Sequence, residues 1–215
     1  MRLLVVTAVG AERDAVLAGF GPAPSESTVD DLVVVAGGVG TAAAATTTAR
    51  SLATANPPFT AVLSAGIGGG FKGRVPVGGL AIADRSVAAD LGADSPEGFL
   101  SLERLGFGPI TVDADPDLLA WLRKALPDAA VGPVLTVSTV TGTAAGASAI
   151  LARHPDAVAE AMEGFGVATA AAQAGIPFGE LRAISNPVGP RDREAWRIPA
   201  ARATLTRAFA ALAAG

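Results

Sequence analysis

The segment AVAEAMEGFGVATAAAQAGIPFGELRAIS, residues 157–185, carries the reading of the fold. It opens with a short β-rich run, Ala157–Met162, and continues through Gly164–Ala174, where small and apolar residues predict a buried helix. Gly175 stands at the C′ position that favours a left-handed residue, and Pro177 just beyond cannot continue the helix. Phe178–Ser185 then reads as a buried strand. Strand, helix and strand in such close succession are the unit of a layered α/β fold.

The same alternation recurs toward the N-terminus. Leu3–Thr7 predicts a first strand, followed by a helix from about Ala11 to Leu17. Asp31–Ala36 predicts a second strand, and Gly37-Gly38-Val39-Gly40-Thr41 leads into a helix over Ala42–Leu52. A third strand, Ala61–Ala65, ends in the run Gly66-Ile67-Gly68-Gly69-Gly70-Phe71, and a fourth spans Leu80–Ala89. Asp115–Ala125 reads as a helix whose Asp-Pro start supplies a cap and a first turn. Val134–Ser138 is a further strand and Thr143–Arg153 a further helix. After Pro199 a final helix places Leu205, Phe209 and Leu212 on one face. No Ser/Gly-rich linker divides the chain and no repeat is visible, so residues 1–215 are expected to form one domain. Leu91–Pro109 is too long for a simple connection, and loops of that length are usually functional or disordered.

Composition narrows the function classes. Half the residues are apolar (50%) and 17% are charged, the balance of a folded chain rather than a disordered one. No stretch approaches the roughly 18 apolar residues of a membrane span, and the N-terminus lacks the features of a signal peptide. The expectation is a cytoplasmic protein with no membrane partner. With no cysteine and a single histidine, neither a disulfide, thiolate zinc nor a multi-histidine metal site can be built. Carboxylate-bound magnesium is open but nothing requires it, so no metal and no cofactor are expected. The mild net charge of −4 and the lack of a basic run argue against nucleic acid and for a small-molecule ligand.

Among candidate chemical groups, Gly38-Val39-Gly40 resembles a dinucleotide fingerprint only superficially, because Ala43 occupies the third glycine position. A tight strand-to-helix turn explains it. The run Gly66–Phe71 is more informative, since glycines at a strand end let backbone approach a ligand closely. No Gly-x-Ser-x-Gly elbow is present, and His154, beside Pro155 in a connection, reads as a solvated loop residue. Glu12 falls in a first helical turn, where a favourable dipole interaction is an alternative to catalysis. Glu163 sits beside a helix of small and apolar residues, where charge is costly unless paired or bound to ligand. Asn186, before Pro187, reads as a turn residue, yet it also offers an acceptor and two donors at a strand end.

At these residues the chain resembles a known group. Met162-Glu163-Gly164, followed by Arg182-Ala183-Ile184-Ser185, is similar to the signature of the nucleoside phosphorylase and hydrolase superfamily, in its methylthioadenosine/adenosylhomocysteine nucleosidase-like branch. The runs 101–108, 136–143 and 189–197 resemble the futalosine hydrolases in particular. This resemblance implies a three-layer α/β/α fold around a central mixed twisted sheet. It further implies hydrolysis of the N-glycosidic bond of futalosine, with hypoxanthine released, as a step of menaquinone biosynthesis, and a homo-oligomer.

Residue roles follow from the resemblance. Glu12 corresponds to the general base that activates water, and Glu163 to the carboxylate that binds the ribose hydroxyls above Met162. Ile67 and Gly68 correspond to backbone lining nucleophile and ribose, and Gly142 and Thr143 to main chain holding the base edge. Adenine-cleaving relatives carry an aromatic residue near Gly142, which is absent here. They also carry aspartate where this chain has Asn186, and an amide can donate to a purine 6-oxygen that a carboxylate would repel. Val9-Gly10-Ala11-Glu12 replaces the phosphate loop of related phosphorylases, and the negative charge of Glu12 opposes phosphate. The carboxylated aryl tail of futalosine is expected near Leu91–Gly108, with Arg191, Arg193 or Arg197 meeting the carboxylate and Trp196 as lid or anchor. A purine nucleoside phosphorylase, a methylthioadenosine-type nucleosidase and a non-catalytic nucleoside-binding protein are the competing readings.

Overall fold

The computed structural model describes residues 1–21 and 29–214. β1 (Arg2–Thr7) is buried on both faces, and its alternate side chains enter two different cores. Leu3 and Val5 pack with Val16 and Phe20 of α1 (Gly10–Phe20) and with Leu205 and Phe209 of α6 (Ile198–Ala214). Leu4 and Val6 pack with Ala44 of α2 (Thr41–Thr54) and with Val167 and Ala168 of α5 (Gly164–Ala174). A strand with period-two side chains thus separates two helical layers, which gives the α/β/α sandwich. Small residues let helices close up within each layer: a Cβ on Gly19 would overlap the Thr206 carbonyl, and one on Gly166 that of Thr41.

The sheet is mixed. β2 (Asp31–Ala36) and β3 (Ala61–Gly70) flank β1 in parallel, and β10 (Phe178–Pro187) runs parallel to β3 on its other edge. β4 (Leu80–Ala88) is antiparallel to β10 and parallel to β8 (Ala130–Thr136), which is parallel to β9 (Ala159–Ala161). β9 returns to β3 antiparallel at Gly69 and Gly70, so β10, β4, β8, β9 and β3 close on one another. α3 (Pro116–Ala125) starts at Asp115, whose carboxylate accepts the Asp117 and Leu118 N–H groups, and α4 (Ala144–Arg153) starts at Thr143, whose hydroxyl accepts that of Gly146.

Two sequence expectations need correction. The glycine run does not follow the third strand but belongs to it, since β3 continues to Gly70 and pairs with β10 throughout. Leu91–Pro109 is irregular only in its second half, residues 102–109. Its first half folds into the hairpin β5 (Gly92–Ser95) and β6 (Gly98–Ser101), turned by Gly98 at φ +105°, and beyond the segment β7 (Thr111–Asp113) pairs with β4.

Candidate active site

The site begins where β3 changes neighbours. β1 accompanies it only as far as Ser64, and β9 takes over at Gly69. Between them, among the described residues, no strand is paired with that edge of β3. Glu12 enters this gap. Its Oε1 accepts the Ile67 N–H at 2.9 Å, while its Oε2 accepts the Ala8 N–H at 3.0 Å and the Val9 N–H at 3.3 Å. Part of this is one half of a capping box at the start of α1, the Glu12 carboxylate accepting the Val9 N–H while Val9 has no side-chain acceptor to return, so the helix-start reading of Glu12 and a site role coexist. Gly66 leaves room for both side chains: a Cβ there would stand 2.9 Å from Glu12 Oε1 and 3.0 Å from Arg182 Nη1.

Glu163, at the N-cap of α5, reaches the same gap from the other side. Its Oε1 accepts the Gly40 N–H at 3.1 Å and its Oε2 that of Met162 at 3.3 Å. The Gly38–Gly40 turn thus has a specific use: Gly40, at φ +92°, aims its amide at this carboxylate. Behind Glu163 lies Arg182, 1% exposed, whose Nη1 is 3.4 Å from Glu163 Oε2, whose Nε donates to Glu180 Oε1 at 3.0 Å and whose Nη2 donates to Ser64 Oγ at 2.8 Å. Burial opposes the charge of Arg182, but Glu180, Glu163 and Glu12 together outweigh it and raise its pKa. Burial raises the pKa of Glu180, with Arg182 opposing. Gly164 completes the packing, since any Cβ there would overlap the Glu180 carboxylate.

Asn186 lies near the end of β10 opposite Gly69. Its Nδ2 donates to the Pro187 carbonyl at 3.0 Å, which leaves Oδ1 toward Ser185, whose hydroxyl donates to it at 2.8 Å. The orientation of the amide is therefore set by a carbonyl that can only accept. One N–H and one lone pair of Oδ1 stay available to a ligand.

These groups surround one cleft of about 240 Å³ with a mostly apolar lining. Glu12, Ile67, Gly68, Met162, Glu163 and Asn186 all line it. Gly142 and Thr143 do not: Val140 and Thr141 occupy the wall instead, while the Gly142 carbonyl accepts the Arg191 N–H at 3.1 Å and Thr143 caps α4. Nor does any residue of 91–109 line the cleft, contrary to expectation; the β5–β6 hairpin packs Phe99 over Arg153, 4.7 Å from its guanidinium, beside a second hollow. Of the three arginines considered, only Arg191 reaches the cleft, stacked 5.0 Å from the Trp196 ring, which also lines it.

Sequence reading did not single out Glu160, Glu180 or Ser64. Glu180 and Arg182 carried a signal: two charges two residues apart in an otherwise apolar strand share one face, and must neutralise each other or a third group. Nothing local to the sequence marks Ser64 or Glu160.

The model of the phosphorylase superfamily matches residues 25–214. Futalosine hydrolase of Streptomyces coelicolor is 52% identical, with 99% of this chain and 95% of that protein aligned, and futalosine hydrolase of Acidothermus cellulolyticus is 46% identical over 100% and 91%. Among solved structures, the 5'-methylthioadenosine/S-adenosylhomocysteine nucleosidase of Helicobacter pylori superposes with a TM-score of 0.81, covering 99% of this chain and 97% of that one, at 19% identity, a likeness of fold. A family match over most of the chain and full-length relatives at 52% and 46% identity agree, and the chain belongs to the phosphorylase superfamily and, within it, to the futalosine hydrolase family.

Proposed function

We propose that this chain is an N-glycosidase that hydrolyses futalosine, releasing hypoxanthine and dehypoxanthine futalosine in menaquinone biosynthesis. The observation that carries the reading is the convergence of Glu12, Glu163 and Asn186, from three distant segments, on one cleft. Family membership supplies the substrate.

The geometry supports a division of labour. Glu12 is oriented by three backbone N–H groups and keeps a lone pair on Oε1 to take a proton from water. Glu163, held by Gly40, Met162 and Arg182, accepts the ribose hydroxyls, with Met162 under the sugar. Asn186 donates its free N–H to the 6-oxygen, and its Oδ1 accepts the N7–H once solvent has protonated N7. As the glycosidic bond breaks, its electron pair moves to the purine, and the water oxygen bonds the anomeric carbon from the opposite face, as in inverting glycosidases. An amide cannot be a general acid, so Asn186 stabilises developing charge and the base takes its proton from solvent.

The reading assigns every step to side chains and water, without metal or cofactor, and places the enzyme in the cytoplasm as a homo-oligomer. The test is chromatographic release of hypoxanthine from futalosine with and without phosphate. Release independent of phosphate is expected; release only with phosphate makes the chain a phosphorylase, and none at all ends the proposal.

A further inference from the structure

Glu160 lines the cleft, yet the scheme above gives it no task. It lies on β9 opposite Gly69 of β3, which lies opposite Asn186 of β10. Residues paired across strands present side chains on the same face. Glu160, Gly69 and Asn186 therefore form one row over three strands, a carboxylate and an amide about 10 Å apart at their Cα atoms with bare backbone between. A Cβ on Gly69 would stand 2.9 Å from Val188 and 3.4 Å from Asn186 Nδ2. Such a row fits a flat heterocycle with hydrogen-bonding groups at both ends of one edge.

The chemistry of Glu160 also points to a ligand. The residue is 5% exposed. Its Oε1 accepts the Thr141 N–H at 2.8 Å and its Oε2 the Thr141 hydroxyl at 2.5 Å, neither of them a cation. Burial raises its pKa, Thr141 opposes that shift, and the neighbouring charge that acts on it, Asp90, is also negative. A buried carboxylate with so little compensation is costly unless a further donor completes it. Each oxygen retains a lone pair for one.

We propose that Glu160 sets the choice of purine, accepting a hydrogen bond from N1–H of a 6-oxopurine while Asn186 engages O6 and N7. This rests on the function proposed above and adds the feature that Asn186 leaves open. A 6-aminopurine has a lone pair at N1, which a carboxylate repels. The other use of Glu160, anchoring the 140–143 loop through Thr141, would affect all nucleosides alike. The two roles therefore differ in selectivity.

The experiment compares futalosine with its 6-amino counterpart for the full-length wild type and Glu160→Gln. Glutamine can keep the Thr141 N–H on its oxygen while its own N–H₂ faces the base. The expected result is a fall of about 10- to 100-fold in the kcat/KM ratio of futalosine over the amino compound. An unchanged ratio, even with both rates reduced, overturns the proposal and leaves Glu160 as a loop anchor. If Glu160→Gln does not fold, Glu160→Asp decides: its carboxylate is withdrawn from the base, so the ratio falls if Glu160 discriminates and stays constant if it only anchors. Should the wild type release no base from futalosine, the function proposed above fails by itself. Glu160 is then judged by calorimetric binding of hypoxanthine against adenine to wild type and variant, with loss of any preference in the variant expected and an unaltered preference overturning it.

Discussion

Glu12 Oε1 accepts the Ile67 N–H at 2.9 Å in the stretch of β3 that β1 has left and β9 has not yet joined. A side-chain carboxylate thus stands in for a strand's carbonyl. The missing strand creates the cleft, and the group that satisfies the exposed backbone is the one assigned to water. Structure and chemistry meet in a single contact.

Glu12→Gln separates them. The glutamine oxygen can keep the Ile67 amide, but its N–H₂ then confronts the Ala8 and Val9 N–H groups. Stability should fall by about 1–3 kcal/mol, and kcat by about 10²–10⁴-fold with KM within a few-fold. Steady-state kinetics alongside urea unfolding measure both, and a near-normal kcat would remove Glu12 from the mechanism.

Gly66→Ala probes the same contact from behind. The added methyl meets the ends of Glu12 and Arg182 rather than rigid backbone, so these side chains must move. Displacing a catalytic group by about 1 Å costs on the order of a hundredfold in rate. Activity should therefore drop far more than the melting temperature, and a variant that unfolds without a kinetic defect would contradict this account of the glycine.

Arg182→Met leaves Glu163 and Glu180 without their shared cation in a buried setting. Removing one partner of a buried ionic cluster costs about 3–5 kcal/mol. The deficit should narrow as pH falls, because the orphaned carboxylates then take up protons. Denaturant titrations at two pH values check it; a deficit independent of pH would point to lost packing instead.

His154, the single histidine, gives a titration free of overlap. Burial, with Arg153 adding to it and Asp156 opposing, lowers its pKa from 6.5. Its proton NMR midpoint should lie below that value. The native state then binds fewer protons than the unfolded chain in this window, so the contribution to stability is present above pH 6.5 and is lost as pH falls through the native pKa. His154→Gln should flatten that part of the pH–stability curve, and a midpoint above 6.5 would refute the burial.

The layered α/β class and most of its elements were legible because period and punctuation are local properties. Gly175 adopts the left-handed C-cap that its place before Pro177 announced, at φ +67°. The β-branched run Asp31–Ala36 is a strand with those same ends. The β5–β6 hairpin escapes such a reading because its strands are four residues each and Phe99 and Leu100 are adjacent rather than alternating, so no periodic apolar face marks them.

What the sequence by itself determined is the inventory: strands with two apolar faces, helices small enough to lie on them, and a few charges placed where burial would be expensive. Tertiary structure decided which of those charges meet. That β3 would trade β1 for β9, that Gly40 would face Glu163, and that Glu160 and Asn186 would flank Gly69 depend on pairings between residues far apart in the chain. Such pairings arise from the closure of the sheet as a whole, and no local pattern encodes them.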